Sequence, residues 1–372
     1  MPGLREKVNH IVLPFRCFVW ILALIGLSAA GELPPLEEWS EQGEVLGAPP
    51  PGNWDSFGWG TSSSSLDAPT VDAVVKKDGV FYLYYTGSSG PRHTDGAAAY
   101  RQIGVATSSD GINFTRYSGN PIVTWKSSNH DINPEEEGAE YCKVALDGNG
   151  NFIMYWAACS AVGPTTVSAD IHLSTSSDGF NFTDGGVVIA WDDVPGGGGD
   201  EVWPGGLLHA QGGTSSLSGT WHLWFNTDRY GNIVAGYKIG LATGNSPGSL
   251  TLQPNNPVLS RLDGCDRPFG GSPVLHQNGK VSVILSPEYR SGGPPLEARD
   301  TTINELDKYS GPYLFTTVGE RLSTASILPD YEDKIWRWYY MHPETRNFHL
   351  RTAPLSSDTT PPGAPIGLRI LK

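Results

Sequence analysis

Acidic residues recur at one kind of place in this 372-residue chain. Asp67 and Asp72 stand before and inside the apolar run LDAPTVDAVVKKDGVFYLYYTG, where a carboxylate is costly unless it is paired or used. The run Glu135 to Glu137, the pair Asp200 and Glu201, and Asp266 with Arg267 each precede a comparable run further along. Two carboxylates placed about a glycosidic bond can break it: one protonates the leaving oxygen, the other activates water or attacks directly. Neighbouring charges raise the pKa of one member so that it holds its proton near neutral pH. Trp203, beside Glu201, offers an apolar face for a sugar ring.

The elements that must carry these acids are strands. Short β-branched and aromatic runs are broken by DG, NG and SG turns, and no long stretch keeps a 3.6-residue period. The chain also repeats itself. IGVATSSDGINFTRYSGNPIV matches IHLSTSSDGFNFTDGGVVIAW and, more loosely, KIGLATGNSPGSLTLQPNNPVLS, with Thr107, Thr175 and Thr243 equally spaced. A second unit, an apolar strand, a tight turn and an aromatic strand, occurs as DAVVKKDGVFYLYY, CKVALDGNGNFIMYW, GGLLHAQGG with TWHLWF, SPVLHQNGKVSVIL, and ASILPDYEDKIWRWYYM. Four strands per repeat and five repeats predict an all-β fold, a five-bladed β-propeller of four-stranded antiparallel blades spanning about 54 to 355. Residues 31–53 read as an N-terminal extension and 356–372 as a Pro-rich linker or tail.

In such a ring the innermost strand of each blade lines the channel, so functional groups should recur once per blade. Aligning the inner strands puts Asp72, Glu140 or Tyr141, Gly205, Ser272, and Thr324 or Ala325 at comparable places, with Asp67, Glu135 to Glu137, Asp200, Glu201, Asp266 and Arg267 in the loops just upstream. His209 and His276 occupy matching inner-strand positions and read as channel-lining or substrate-contacting residues. No HExxH, CxxC pair, GxSxG elbow or phosphate-binding Gly loop with its Lys occurs. Gly196 to Gly199 reads as a loop feeding Glu201.

Basic residues Arg5, Lys7 and Arg16, then the apolar run from Phe18 to Ala30, predict a signal peptide ending near Ala30 and a secreted, extracellular or periplasmic protein. The apolar run is shorter than the roughly 20 residues a spanning helix needs. A net charge of −14 repels phosphate backbones and anionic lipid, which argues against nucleic-acid or membrane partners and for a neutral substrate. Past the expected cleavage point only Cys142, Cys159 and Cys265 of the four cysteines remain, too few for a disulfide scaffold; Cys142 and Cys159 lie on successive strands as a pair or as two free core thiols. The sequons at Asn113 and Asn181 sit in the repeated turns, whose chemistry already accounts for them.

VDAVVKKDGVFYLYYTG resembles the first-blade segment of the five-bladed glycoside hydrolases grouped around family 43, with families 32, 62, 68, 117 and 130 as relatives. TSSDGINFT and STSSDGFNFT resemble their outer-strand repeats. The resemblance implies an inverting reaction with a first-blade Asp as general base, a third-blade Glu as general acid, and a second-blade Asp that tunes pKa and orients that acid. Carried over, these are Asp72, Glu201 and, matching only in being acidic, Glu140. Asp72 is followed by Ala73 where family 43 usually has Pro, and the Asp-Ala-Pro triplet begins at Asp67, which stays a rival base. Blade two lacks the Trp-Ala-Pro-Asp pattern, and blade three has Glu201-Val202-Trp203-Pro204 in place of Glu-Gly-Pro.

The reading is therefore a secreted glycoside hydrolase that cleaves furanosidic, arabinose-like or related linkages in a polysaccharide or oligosaccharide. Its substrate contacts are Trp203, Asp266, Arg267, His209 and His276. It requires no cofactor, and a structural Ca2+ in the central channel is compatible with it. The alternatives are a non-catalytic carbohydrate-binding propeller, a fructan- or sucrose-active relative, and a phosphorylase.

Overall fold

The computed structural model describes residues 33–57, 59, 69–90, 101–124, 138–163, 166–196, 200–209, 219–228, 238–259, 268–276, 280–287, 297–302, 309–314, 323–342 and 345–355. The segment read as a signal peptide, the tail from 356, Asp67, Glu135 to Glu137, Cys265, Asp266 and Arg267 lie outside the described residues.

Among the described residues, twenty strands form five four-stranded antiparallel sheets. β1 (Ser40–Leu46) comes first but belongs to the last sheet. Blade one is β2 (Thr70–Lys77), β3 (Val80–Gly87), β4 (Gln102–Ser108) and β5 (Thr115–Arg116). Blade two is β6 (Gly138–Leu146), β7 (Phe152–Gly163), β8 (Thr166–Ser176) and β9 (Thr183–Ile189). Blade three is β10 (Val202–His209), β11 (Trp221–Thr227), β12 (Lys238–Gly244) and β13 (Thr251–Leu252), and blade four β14 (Pro268–Leu275), β15 (Lys280–Pro287), β16 (Glu297–Thr302) and β17 (Ser310–Leu314). Blade five is β18 (Ser323–Asp330), β19 (Ile335–Met341) and β20 (Phe348–Pro354), with β1 paired outside β20. Part of the segment read as an extension is thus the outer strand of blade five, and it joins the two ends of the propeller.

Period-2 alternation builds the core because the middle strands bury both faces. On β3, Phe81, Leu83 and Tyr85 face blade five, and Tyr84 faces blade two. On β7, Phe152, Met154 and Trp156 face blade one, while Ile153 and Tyr155 face blade three. On β19, Trp336, Trp338 and Tyr340 face blade four, and Tyr339 and Met341 face blade one. Every blade interface is thereby an apolar cluster fed by two middle strands.

The repeats have local causes. Asp78 and Gly79 both take positive φ, 51° and 77°, in the two-residue turn that joins β2 to β3. In the SSDG turns, Asp110 Oδ1 accepts from the N–H groups of Ile112 and Asn113, and Asp178 Oδ1 accepts likewise from Phe180 and Asn181. These turns receive the neighbouring blade: Tyr339 Oη donates to Gly111 O at 2.9 Å and Tyr84 Oη to Gly179 O at 3.0 Å. Tyr155 Oη bonds Pro247 O in blade three in the same way, at 2.8 Å. The NP motifs repeat too, since Asn120 brackets the backbone of Val105 and Asn256 that of Leu241.

Blades five and one are further joined by charge. Asp330, with a side chain 1% exposed, accepts from Arg337 Nε and from Lys76 Nζ, both at 2.9 Å, and Lys76 belongs to β2. Removing the carboxylate takes the buried partner from both cations and leaves them only the exposed Asp333 and Glu332. Asp330→Ala should destabilise the fold by about 3 kcal/mol. Glu332→Ala, which removes an exposed partner of Lys76, should cost under about 0.5 kcal/mol. Urea denaturation of the two variants checks this, and equal losses would remove Asp330 from ring closure.

Candidate active site

Each inner strand carries one extra residue relative to its partner. The register breaks between Val71 and Ala73 on β2, Glu140 and Lys143 on β6, Pro204 and Gly206 on β10, Phe269 and Ser272 on β14, and Ser323 and Ala325 on β18. The bulged residues are Asp72, Tyr141 with Cys142, Gly205, Gly270 with Gly271, and Thr324. These are β-bulges, which free a side chain from strict alternation.

Asp72 is 2% exposed. Its Oδ1 accepts from Thr70 Oγ1 at 2.7 Å and its Oδ2 from Thr86 Oγ1 at 2.6 Å. From blade two, Lys143 Nζ donates to the Asp72 backbone carbonyl at 2.9 Å, and the Cys142 thiol lies 3.7 Å from Oδ2. Burial raises the carboxyl pKa to about 6, against the opposing pull of the Lys143 ammonium and the two threonine hydroxyls. The same burial lowers that of Lys143.

Glu140 precedes the bulge of β6 and is 1% exposed. Its Oε2 is ion-paired with Arg101 Nη1 at 2.8 Å, and its Oε1 lies 2.9 Å from the Cys159 thiol. Arg101, whose side chain is 6% exposed, also donates to Tyr141 Oη at 3.0 Å. Tyr141 takes φ 54°, unusual for a residue with a side chain, and its N–H donates to Thr86 Oγ1 at 2.9 Å. Thr86 therefore connects the two acids, giving its proton to Asp72 and receiving the N–H of the residue after Glu140.

Glu201 stands just before β10, half-buried, in an isolated bridge to Ala169 of β8, and Asp200 O accepts the Ala169 N–H at 3.0 Å. Trp203, expected to present a face to a sugar, is 5% exposed and packs with Ala157, Cys159 and Ala169. It forms the wall behind Cys159. His209 lies at the far end of β10, stacked on Trp221 with centroids 3.9 Å apart and hydrogen-bonded to Leu146 O at 3.0 Å. His276 follows β14, buried, with Nε2 2.8 Å from Ser282 Oγ. These histidines sit past the bulges, and His209 lines an open cavity of about 420 Å³ bordered by the later halves of all five inner strands. Among the described residues, no three His, Cys, Asp or Glu side chains converge as metal ligands would. Cys142 and Cys159 are free thiols.

The sequence reading missed Arg101, Lys143, Thr70 and Thr86. Lys143 left a trace, a lysine inside the apolar run EYCKVAL. Arg101 left none, because its partner lies across a blade boundary.

No protein-family model matches the chain, and no curated protein matches it. Solved structures do. An inferred glycoside hydrolase from Parabacteroides distasonis superposes with a TM-score of 0.58 at 16% identity, covering 83% of this chain and 93% of that one. A glycosyl hydrolase from Bacteroides ovatus gives 0.54 at 14%, covering 88% and 99%. The β-1,2-mannobiose phosphorylase of Listeria innocua gives 0.53 at 12%, covering 87% and 93%. At these identities the likeness establishes the fold.

The raised pKa of Asp72 has a thermodynamic sign. The folded chain holds this proton more tightly than the unfolded one, whose value is near 3.8. The resulting stabilisation is complete below pH 3.8 and is lost as pH rises through about 6. Its size is about 3 kcal/mol. The unfolding free energy of the wild type minus that of Asp72→Asn should fall by about that amount between pH 4 and 7. A flat difference would contradict the burial of Asp72.

Proposed function

We propose that the protein is a glycoside hydrolase that cleaves a neutral glycan by carboxylate acid/base catalysis, with Asp72 as general base and Glu201 as general acid. The observation that carries this reading is the pair of buried carboxylates on adjacent inner strands, set in opposite environments and linked through Thr86. Asp72, dry and raised to about 6, is a proton acceptor matched to near-neutral pH. Glu140 is ion-paired with Arg101, the placement of a group that tunes its neighbours. Glu201 stands just before the inner strand of blade three, bridged to Ala169, and the resemblance to the third-blade Glu supports it as the acid.

Inversion of the anomeric centre follows if Asp72 activates water. The acidic surface favours an uncharged substrate, and furanosidic, arabinose-like linkages are the substrate class we favour. The glycosidase names among similar folds support the reading at the level of architecture. Export through the N-terminal apolar segment would place the enzyme with extracellular polysaccharide. The cavity beyond the bulges is lined by aliphatic side chains with Lys76, His209 and Tyr331 and by no carboxylate, a lining that does not fit Ca2+ with its demand for oxygen ligands; calcium titration of the folded protein tests whether one binds elsewhere in the channel.

Hydrolysis of a panel of polysaccharides and aryl glycosides, with and without inorganic phosphate, tests the function. Asp72→Asn and Glu201→Gln should each lower kcat by about 10²- to 10⁴-fold. Because a base works only when ionised, kcat/KM should fall as pH drops below about 6. Sugar binding without release would make the protein a carbohydrate-binding propeller, phosphate-dependent release a phosphorylase. Full activity of Glu201→Gln would move the acid elsewhere.

A further inference from the structure

Two buried thiols each face one of the two buried carboxylates. Cys142 Sγ lies 3.7 Å from Asp72 Oδ2, and Cys159 Sγ lies 2.9 Å from Glu140 Oε1. Both come from blade two, Cys142 from the bulge of β6 and Cys159 from β7, opposite Gly138. Neither is exposed by more than 1%.

The other carboxylate contacts make the pattern specific. Thr70 takes Asp72 Oδ1, Thr86 takes Oδ2, and Arg101 takes Glu140 Oε2. The Cys159 thiol meets Glu140 Oε1. A carboxylate only accepts and a thiol has one proton to give, so the donor is sulfur. Burial and the neighbouring Asp72 charge push the Cys142 thiol up, which keeps its proton in place.

We infer that Cys142 and Cys159 are positioning residues, each thiol donating a hydrogen bond that fixes one carboxylate: Cys142 on Asp72 Oδ2 and Cys159 on Glu140 Oε1. A buried cysteine is more often a small apolar filler, and the two roles respond oppositely to substitution. A filler tolerates alanine and resists serine, whose hydroxyl is costly in an apolar site. A donor tolerates serine and is lost in alanine. The catalytic meaning rests on the proposed glycosidase reading, whereas the hydrogen bonds themselves do not.

The experiment reads the bonds directly, through the infrared S–H stretching band, which lies clear of other protein absorption and moves with the strength of the acceptor. Cys142→Ser and Cys159→Ser assign the two bands by their disappearance. Glu140→Gln should then shift the Cys159 band to higher frequency and leave the Cys142 band in place, and Asp72→Asn should do the converse. Lowering pH from about 8 to 5 should move the Cys142 band as Asp72 takes its proton; the groups facing Asp72 are Lys143 and Cys142 from β6, Thr86 from β3 and Thr70 on its own strand. Bands that ignore the carboxylate variants overturn the inference.

On any aryl glycoside the enzyme hydrolyses, Cys159→Ala should lower kcat by roughly fivefold to tenfold, and Cys159→Ser should recover most of that loss. The reverse order would make Cys159 a filler. Bands that respond in a protein that cleaves no glycoside would uphold the positioning role and refute the glycosidase.

Discussion

A strand packed on both faces has no free side for chemistry, because successive side chains go to one neighbouring blade and then the other. Each inner strand resolves this with one extra residue. On β2, Val71 packs toward blade five and Ala73 toward blade two, although two residues apart they should share a face. The bulge between them removes Asp72 from the alternation and turns it to the threonine hydroxyls and the next blade. On β6 the bulge has the same effect, with Ala139 and Cys142 facing the same interface from three residues apart. In blades three and four the freed positions are glycines, and there the gain is close backbone approach: Gly270 N–H reaches Asn226 Oδ1 at 3.1 Å, and a Cβ on Gly205 would lie 3.0 Å from Asn226 Nδ2. One device thus yields side-chain chemistry on one side of the ring and tight backbone packing on the other.

Two carboxylates placed in such a site need compensation on the spot, since a distant surface charge is screened and an unpaired buried charge is expensive. Arg101 and Lys143 provide it, one for each acid, from different blades. The arrangement is asymmetric: Arg101 makes a direct ion pair with Glu140, whereas Lys143 reaches the backbone carbonyl of Asp72. The indirect contact leaves Asp72 with its proton affinity raised by burial. A carboxyl of raised proton affinity beside a second carboxylate is what acid/base chemistry uses.

The architecture was legible in the sequence because every blade writes its own turn and aromatic strand, and the inner-strand alignment landed within two residues of all five bulges. Periodicity reports which residues share a local face, and Asp72 inside a β-branched run was conspicuous on that ground alone. The origin of the outer strand of blade five was not legible. β1 pairs with β20 across nearly the whole chain, and nothing local in SEQGEVL names its partner. The same reason hid Arg101 and Thr86, whose roles exist only once blades one and two meet. Trp203 shows the opposite error: an aromatic next to an acid suggests a sugar platform, yet its position on β10 sends it into the interface with β7 and β8.

Tyr141 ties these threads together. A bulky residue at φ 54° carries strain of about 1 to 3 kcal/mol, sustained only where the surroundings fix it from several directions. Its N–H is held by Thr86, its hydroxyl by Arg101, and the Arg101 guanidinium lies 5.3 Å from its ring centroid. Each of those partners also holds a carboxylate, Thr86 holding Asp72 and Arg101 holding Glu140. Relaxing the backbone at Tyr141 would loosen its contacts to both partners at once. The two acids are therefore not independently placed side chains but the ends of one strained segment, which couples the inner strand of blade one to that of blade two.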